Sequence, residues 1–374
     1  MHILCPQAHL VNAVQKVYRA VATTTTYPAI TGILLQAHEN TLTLKGTDLD
    51  LGIIYTFPVE VIEEGELLLP ARIFTEMVRR LPPTSLSLKS LEDNTVEIAY
   101  QQSKVQLNSI DVSQFPLLPP VEGNFSFSVA ITALKDAIRK VTIAAGNDDL
   151  RSVFNGVLWE LEPGENRFNL VATDTHRLAV YHGQPGDSPS NETATALVPC
   201  RAMNELARLL PGEDGLVKIT IGESQIYAQH EGLTVYIRLL NGKFPHYQQV
   251  IPTEHICTIE IATRDLLDTV ERATLLARDE NKARAHIIIL QVGEKSLKIT
   301  SEAAEIGHLE EELTAEIAGQ PLELALNGRY LLETLRVIDT ENVILELLAP
   351  LKPVVVRPAG QENYFCLILP VRIG

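Results

Sequence analysis

Residues 199–208 read Pro199-Cys-Arg-Ala-Met-Asn-Glu-Leu-Ala-Arg, and the pattern stands twice more, as Pro70-Ala-Arg-Ile-Phe-Thr-Glu-Met-Val-Arg and Asn327-Gly-Arg-Tyr-Leu-Leu-Glu-Thr-Leu-Arg. The copies start at 70, 199 and 327, so they are 129 and 128 residues apart. Three charged columns superpose: Arg72, Arg201 and Arg329; Glu76, Glu205 and Glu333; Arg79, Arg208 and Arg336. A fixed period of this size is the mark of tandem structural units.

Working outward, a second marker precedes each copy. Met1-His-Ile-Leu-Cys-Pro-Gln, Phe125-Ser-Phe-Ser-Val-Ala-Ile and Cys257-Thr-Ile-Glu-Ile-Ala-Thr each begin with strand character and pass into a helical period. The helix core positions superpose as Leu10, Leu134 and Leu266; Val14, Ile138 and Val270; Val17, Val141 and Ala273; Val21, Ala145 and Ala277. Steps of four, three and four put each set on one buried stripe. Beside it, Lys16, Lys140 and Arg272 superpose. Between the two helices a strand end recurs as Thr47-Asp48, Thr173-Asp174 and Ser301-Glu302. Sliding one amphipathic helix over another matches a single stripe, but it does not reproduce three markers in order with matched charges.

Thr41-Leu-Thr-Leu-Lys, Ser85-Leu-Ser-Leu-Lys, Lys218-Ile-Thr-Ile and Ser296-Leu-Lys-Ile-Thr alternate with period two and read as half-buried strands. The expected fold class is therefore α+β: three tandem repeats, each mostly antiparallel sheet plus two helices. Proline-rich turns, Phe115-Pro-Leu-Leu-Pro-Pro and Phe244-Pro-His-Tyr-Gln-Gln-Val-Ile-Pro, set the boundaries at 1–120, 121–252 and 253–374.

A chain of 374 residues with 45% hydrophobic and 21% charged residues suits a soluble globular protein of two or three domains. Its apolar runs are too short for a bilayer and the N-terminus lacks a secretory signal, so a cytosolic protein is expected. Cys5, Cys200, Cys257 and Cys366 are scattered without zinc spacing and are expected as reduced core thiols. No metal or cofactor is expected. The net charge of −16 argues by itself against nucleic acid. Yet fifteen of the 31 basic residues fall on or beside the six helices: Lys16, Arg19, Arg72, Arg79, Arg80, Lys135, Arg139, Lys140, Arg201, Arg208, Arg264, Arg272, Arg278, Arg329 and Arg336. Acidic stretches such as 60–66 and 302–312 leave room for a positive face on a negative protein. For one helix a solvated, ion-paired face is the simpler reading; repetition in all six favours a functional one.

The stretches Phe154-Asn-Gly-Val, Ala172-Thr-Asp-Thr-His-Arg-Leu-Ala-Val, Asn241-Gly-Lys-Phe-Pro-His-Tyr-Gln-Gln-Val-Ile-Pro and Leu369-Pro-Val-Arg-Ile, in this order, resemble the bacterial replicative sliding clamp family, the beta subunits of DNA polymerase III, and the resemblance covers the whole chain. It implies a head-to-tail homodimer closing as a ring around double-stranded DNA in the bacterial cytosol, at the nucleoid. Helices would line the hole and no reaction would be catalysed. The implied DNA-facing residues are Lys16, Arg72, Arg79, Lys135, Arg139, Lys140, Arg201, Arg208, Lys243, Arg272, Arg329 and Arg336. Weak, sequence-blind phosphate contacts suit sliding, since every neutralised phosphate adds affinity and drag.

The resemblance also implies a pocket that receives a short peptide of the replicative polymerase catalytic subunit, the clamp loader or repair polymerases. Carried over residue by residue it comprises Phe154, Thr173, Thr175, His176, Arg177, Leu178, Pro245, Val250, Pro353, Leu369, Pro370, Val371 and Arg372, aliphatic anchoring surface with a few polar groups at its edge. The dimer interface would set Lys104, Val105 and Leu107 against Leu275, Leu276, Glu305 and Glu310. Thr24, Gln249 and the terminal Gly374 depart from the family pattern. Two alternatives stay open from the residues alone: a repeat scaffold that does not encircle DNA, and an enzyme using Asp174 and His176, whose spacing on a strand would place them on one face.

Overall fold

The computed structural model describes residues 1–92, 94–123, 125–147, 152–162, 167–186, 193–212, 214–277, 286–303 and 307–372. Among these are six α-helices: α1 (Gln7–Val17), α2 (Ala71–Arg80), α3 (Ile131–Thr142), α4 (Cys200–Leu209), α5 (Thr263–Leu276) and α6 (Gly328–Leu335). Each follows a strand without a loop; α1 begins where His2–Pro6 ends and α2 where Gly65–Pro70 ends. The junction is chemical. Pro6 and Pro70, at φ −58° and −55°, carry no N–H for a ladder and have a backbone already suited to a helix start. At α6 the Asn327 side chain instead accepts the Arg329 N–H.

The three stripes are buried as the period predicts, with one exception. Leu10, Val14, Val17 and Val21 are buried, as are Leu134, Ile138 and Val141, and Leu266, Val270, Ala273 and Ala277. In the second repeat Ala144, not Ala145, takes the fourth place. The cause is local: α3 ends at Thr142, and the N–H groups of Ala144 and Ala145 bond three residues back, to Val141 and Thr142. The tighter turn advances the phase by one residue.

The chain divides into two compact units. The first, Met1–Thr132 with Pro185–Asn191 and Glu205–Leu239, holds a five-stranded and an eight-stranded antiparallel sheet. In the larger sheet Leu51–Pro58 pairs with Leu233–Arg238, joining strands of the first and second repeats. The second unit, Ala133–Gln184 with Glu192–Asn204 and Leu240–Gly374, holds a nine-stranded and a four-stranded sheet. Here Arg177–Gly183 pairs with Tyr364–Ile368, joining the second and third repeats. The middle repeat thus supplies strands to both units, because pairing across the repeat junctions is as continuous as pairing inside a repeat.

The Thr-Asp marker ends a strand and opens a turn in the first two repeats, whereas Ser301-Glu302 lies within the strand Ser296–Ala303. Thr47 donates its hydroxyl to the Leu51 carbonyl (3.0 Å), while Asp48 Oδ1 accepts the N–H groups of Asp50 and Leu51 (3.1 and 2.8 Å). In the second repeat Thr173 donates to the Arg177 carbonyl (2.7 Å) and Asp174 Oδ1 accepts from His176 and Arg177 (2.9 and 3.0 Å). The residue between them, Leu49 or Thr175, takes φ +80° or +78°. That left-handed geometry costs about 1 kcal/mol or more for a residue with a side chain, and the two-sided bonding by threonine and aspartate holds it in place.

All four cysteines are free thiols; Cys5, Cys257 and Cys366 are buried and Cys200 half-buried. Burial pushes the Cys5, Cys200 and Cys366 thiols up to about 11, far from the reactive thiolate form.

Candidate functional site

Within the second unit a cleft of about 220 Å³ opens beside the Thr173–Arg177 turn. Its floor is a cluster of Val171, Leu178, Val180, Leu197, Phe244, Tyr247, Val355 and Leu367. Phe154, Thr173, Thr175, Arg177, Leu178, Pro245, Val250, Pro353 and Leu369 line the cleft, nine of the thirteen expected positions, joined by His246, Tyr247 and Leu367. Val250 and Leu369 stand 54% and 41% exposed at the mouth, so the cleft presents apolar surface at its rim. The 244–250 segment is fixed from below: Tyr247 is buried and donates its hydroxyl to Glu160 Oε2 (2.6 Å).

Arg177 organises the polar wall. Its side chain is 8% exposed, donating Nε to Asp174 Oδ2 (3.0 Å) and Nη1 to Glu333 Oε2 (2.5 Å), with its guanidinium 4.5 Å from the centre of the Tyr330 ring. Burial works against its charge, but the Glu333 hydrogen bond and the two carboxylates outweigh burial, so its pKa lies above the ordinary arginine value. Burial likewise opposes the Glu333 charge, and Arg329 and Arg177 together hold that carboxyl below its usual range.

Four expected cleft residues lie outside the lining. His176 is exposed and stacks on Tyr330, with ring centroids 6.3 Å apart. It contributes through its carbonyl, which accepts the Leu369 N–H (2.9 Å) and so hangs the cleft's last apolar residue from the turn. Pro370, Val371 and Arg372 follow Leu369, and Val371 is drawn off by its N–H bond to Ala325 (2.8 Å). The proposed pairing of Asp174 with His176 fails on geometry. They belong to a turn and not a strand, and both Asp174 oxygens are committed to the turn N–H groups and to Arg177.

The helix cations are mostly exposed and mostly partnered. Arg79 and Arg80 share Glu76, Arg208 bonds Glu205, and Arg272 holds Glu311. Arg329 and Arg336 bond Glu333 and Glu271, while Arg139 reaches both Asp136 and Asp339. Arg72, Arg201 and Lys243 are exposed and Lys135 is half-buried. Lys16 lies half-buried over the Tyr55 ring, 4.0 Å from its centre. Lys140 is a correction. Only 5% exposed, it bonds Asp136 (2.7 Å) and turns inward to face the rings of Tyr181 and Tyr364, which its counterparts Lys16 and Arg272 do not. Twelve basic residues stand against seven acidic ones on the six helices, a positive surplus in a chain whose net charge is −16.

Lys104, Val105 and Leu107 lie on Ser103–Asn108, an edge strand of the five-stranded sheet, and the valine and leucine are half-buried. Glu310 lies on Gly307–Thr314, an edge strand of the four-stranded sheet. Leu275 is exposed and Leu276 half-buried on α5. Glu305, Arg278 and Gly374 lie outside the described residues. Thr24 and Gln249 are exposed. Among the described residues no group of His, Cys, Asp and Glu is placed to hold a metal ion, and no helix is long and apolar enough to cross a membrane.

Three family models match the chain in order: the N-terminal, central and C-terminal domains of the DNA polymerase III beta subunit, over residues 1–119, 128–246 and 248–372. The beta sliding clamp of Staphylococcus epidermidis is 29% identical over 381 residues, covering 100% of this chain and 99% of the relative. That of Bacillus subtilis is 29% identical and covers 97% of both. Among solved structures, the DNA polymerase sliding clamp of Bacillus subtilis matches with TM-score 0.95 at 28% identity. The DNA polymerase III subunit beta of Pseudomonas aeruginosa matches with 0.94 at 29%, and both structural matches cover each chain completely.

Proposed function

This chain belongs to the DNA polymerase III beta-subunit family, and from that premise we propose which of its surfaces performs each part of the family's work. It is a sliding clamp, a non-catalytic processivity factor with the three-domain clamp fold. The domain limits we assign are 1–120, 121–252 and 253–374.

Ring closure falls to two edge strands, one from the five-stranded and one from the four-stranded sheet. Ser103–Asn108 of one copy would meet Gly307–Thr314 of another, with Val105 and Leu107 against Leu275 and Leu276, and Lys104 near the acids around Glu310. Five strands and four would then form a sheet of nine, the size of the largest sheet inside one chain. Unpaired edges invite such addition, and a heterologous contact closes into a ring when the rotation is right.

The second-unit cleft takes a short peptide of a polymerase subunit or the clamp loader. The observation that carries this assignment is the convergence of nine separately numbered positions on one apolar cleft with exposed Leu369 and Val250 at its mouth. The exposed cations of the helices meet the phosphates of duplex DNA, without Lys140. The protein works in the cytosol, at the nucleoid.

Retention on DNA tests the encircling function. Loaded by its loader on closed circular duplex, the protein should stay bound and then be lost once the circle is cut. Equal loss from circular and linear DNA would refute encirclement and favour the non-encircling scaffold.

A further inference from the structure

The strand that borders the cleft has a counterpart in the first unit, and the match extends to single hydrogen bonds. Besides the shared turn, the Arg238 N–H bonds the Asp50 carbonyl (2.8 Å) as the Leu369 N–H bonds that of His176 (2.9 Å). The ladders agree too: Tyr236 pairs with Gly52 where Leu367 pairs with Leu178. Leu178 and Leu367 both line the open cleft.

At the first-unit position the pair is replaced by glycine and tyrosine. A Cβ on Gly52 would lie 1.7 Å from Tyr236 Cε1, so the ring rests directly on the glycine backbone. Tyr236 is 3% exposed, and its oxygen is 2.6 Å from Thr47 Oγ1. Since Thr47 already gives its proton to the Leu51 carbonyl, the tyrosine hydroxyl is the donor. Thr173, the counterpart of Thr47, likewise gives its proton to a carbonyl and accepts the Thr175 N–H, which leaves it one lone pair beside the open cleft.

We infer that the first unit carries a second cleft of the same design, held shut by Tyr236, whose ring fills the apolar space and whose hydroxyl takes the acceptor that Thr173 offers to a bound peptide. Tyr236 occupies from within the chain the place a peptide anchor takes in the second unit, so each chain binds one peptide and not two. The rim of the closed site keeps apolar character, with Leu49 49% exposed. The inference rests on the peptide-binding reading of the second-unit cleft.

Calorimetric titration tests it, using the tightest wild-type binder from a library of synthetic hexapeptides with large apolar anchors. Wild type should bind one peptide per chain. The double variant Gly52→Leu/Tyr236→Leu installs the open cleft's pair and should bind two per chain. The reciprocal variant Leu178→Gly/Leu367→Tyr should lose binding at least tenfold while keeping its melting cooperativity. A folded Gly52→Leu/Tyr236→Leu protein that still binds one peptide per chain overturns the inference alone. If that variant does not fold, the reciprocal swap decides, and affinity within about threefold of wild type overturns the inference. No binding of any library member to the wild-type chain overturns the cleft assignment and this inference with it.

Discussion

Replacing Arg177 by alanine should show how far the cleft depends on one buried cation. Two unit charges about 4 Å apart at an effective dielectric of about 20 attract by roughly 4 kcal/mol, and desolvation offsets much of that. Truncation removes the attraction but leaves Asp174 and Glu333, whose side chains are only 14% and 26% exposed, without the cation between them. Breaking a buried pair from one side costs about 3–5 kcal/mol. Glu333 keeps Arg329 at 2.9 Å, which puts the expected loss near the lower end, about 3 kcal/mol at pH 7. Urea unfolding followed by circular dichroism reads this out, alongside Glu333→Gln and the double variant. The pH dependence has a definite sign. Glu333 titrates below its ordinary value of 4.5 in the folded protein, so its contribution is complete above that value and fades as pH falls through the folded pKa. The gap between wild type and Arg177→Ala should therefore narrow below about pH 4.5. A loss under about 1 kcal/mol at pH 7, or a gap unchanged down to pH 3.5, would refute the reasoning. Peptide affinity should fall with stability, because the same residue holds the turn that carries Thr173, Thr175 and the Leu369 contact.

Charge reversal at Arg201 and Arg208 together should weaken retention on circular DNA while leaving peptide affinity unchanged; unaltered retention would remove α4 from the DNA-facing set. Lys140→Ala should instead lower the melting temperature by several degrees with little effect on retention, and a selective loss of retention would return Lys140 to that set. Leu107→Asp, on the edge strand, should convert dimer to monomer in sedimentation velocity without changing the monomer's circular dichroism. A dimer that persists would place ring closure elsewhere.

The six helices, eleven of twelve stripe positions and the strand ends at Thr47 and Thr173 were legible because they depend on local period and spacing. Much of the cleft was legible only through resemblance. Leu367 could have been reached from Leu369 by the strand period of two, and Tyr247 from the quoted Phe244-Pro-His-Tyr run, whose aromatic residues anchor it. What sequence cannot carry is the direction of a cation on the flank of a stripe. Lys140 turns inward because Tyr181 and Tyr364, distant in sequence, offer it two ring faces. The partners of Arg139, Arg272 and Arg336 are hidden for the same reason, since Asp339, Glu311 and Glu271 arrive from other elements or other repeats.

Those pre-formed ion pairs bear on motion along the duplex. On the proposed assignment, an arginine that reaches a phosphate first lets go of a carboxylate, so each contact is a swap of one oxyanion for another and not the capture of a bare charge. The energy difference between touching one phosphate and the next is then small, and the surface toward the double helix is electrically smooth. On that assignment friction in such a ring would be set by viscosity more than by binding, and the carboxylates that look like a handicap for a DNA-handling protein would act as its lubricant.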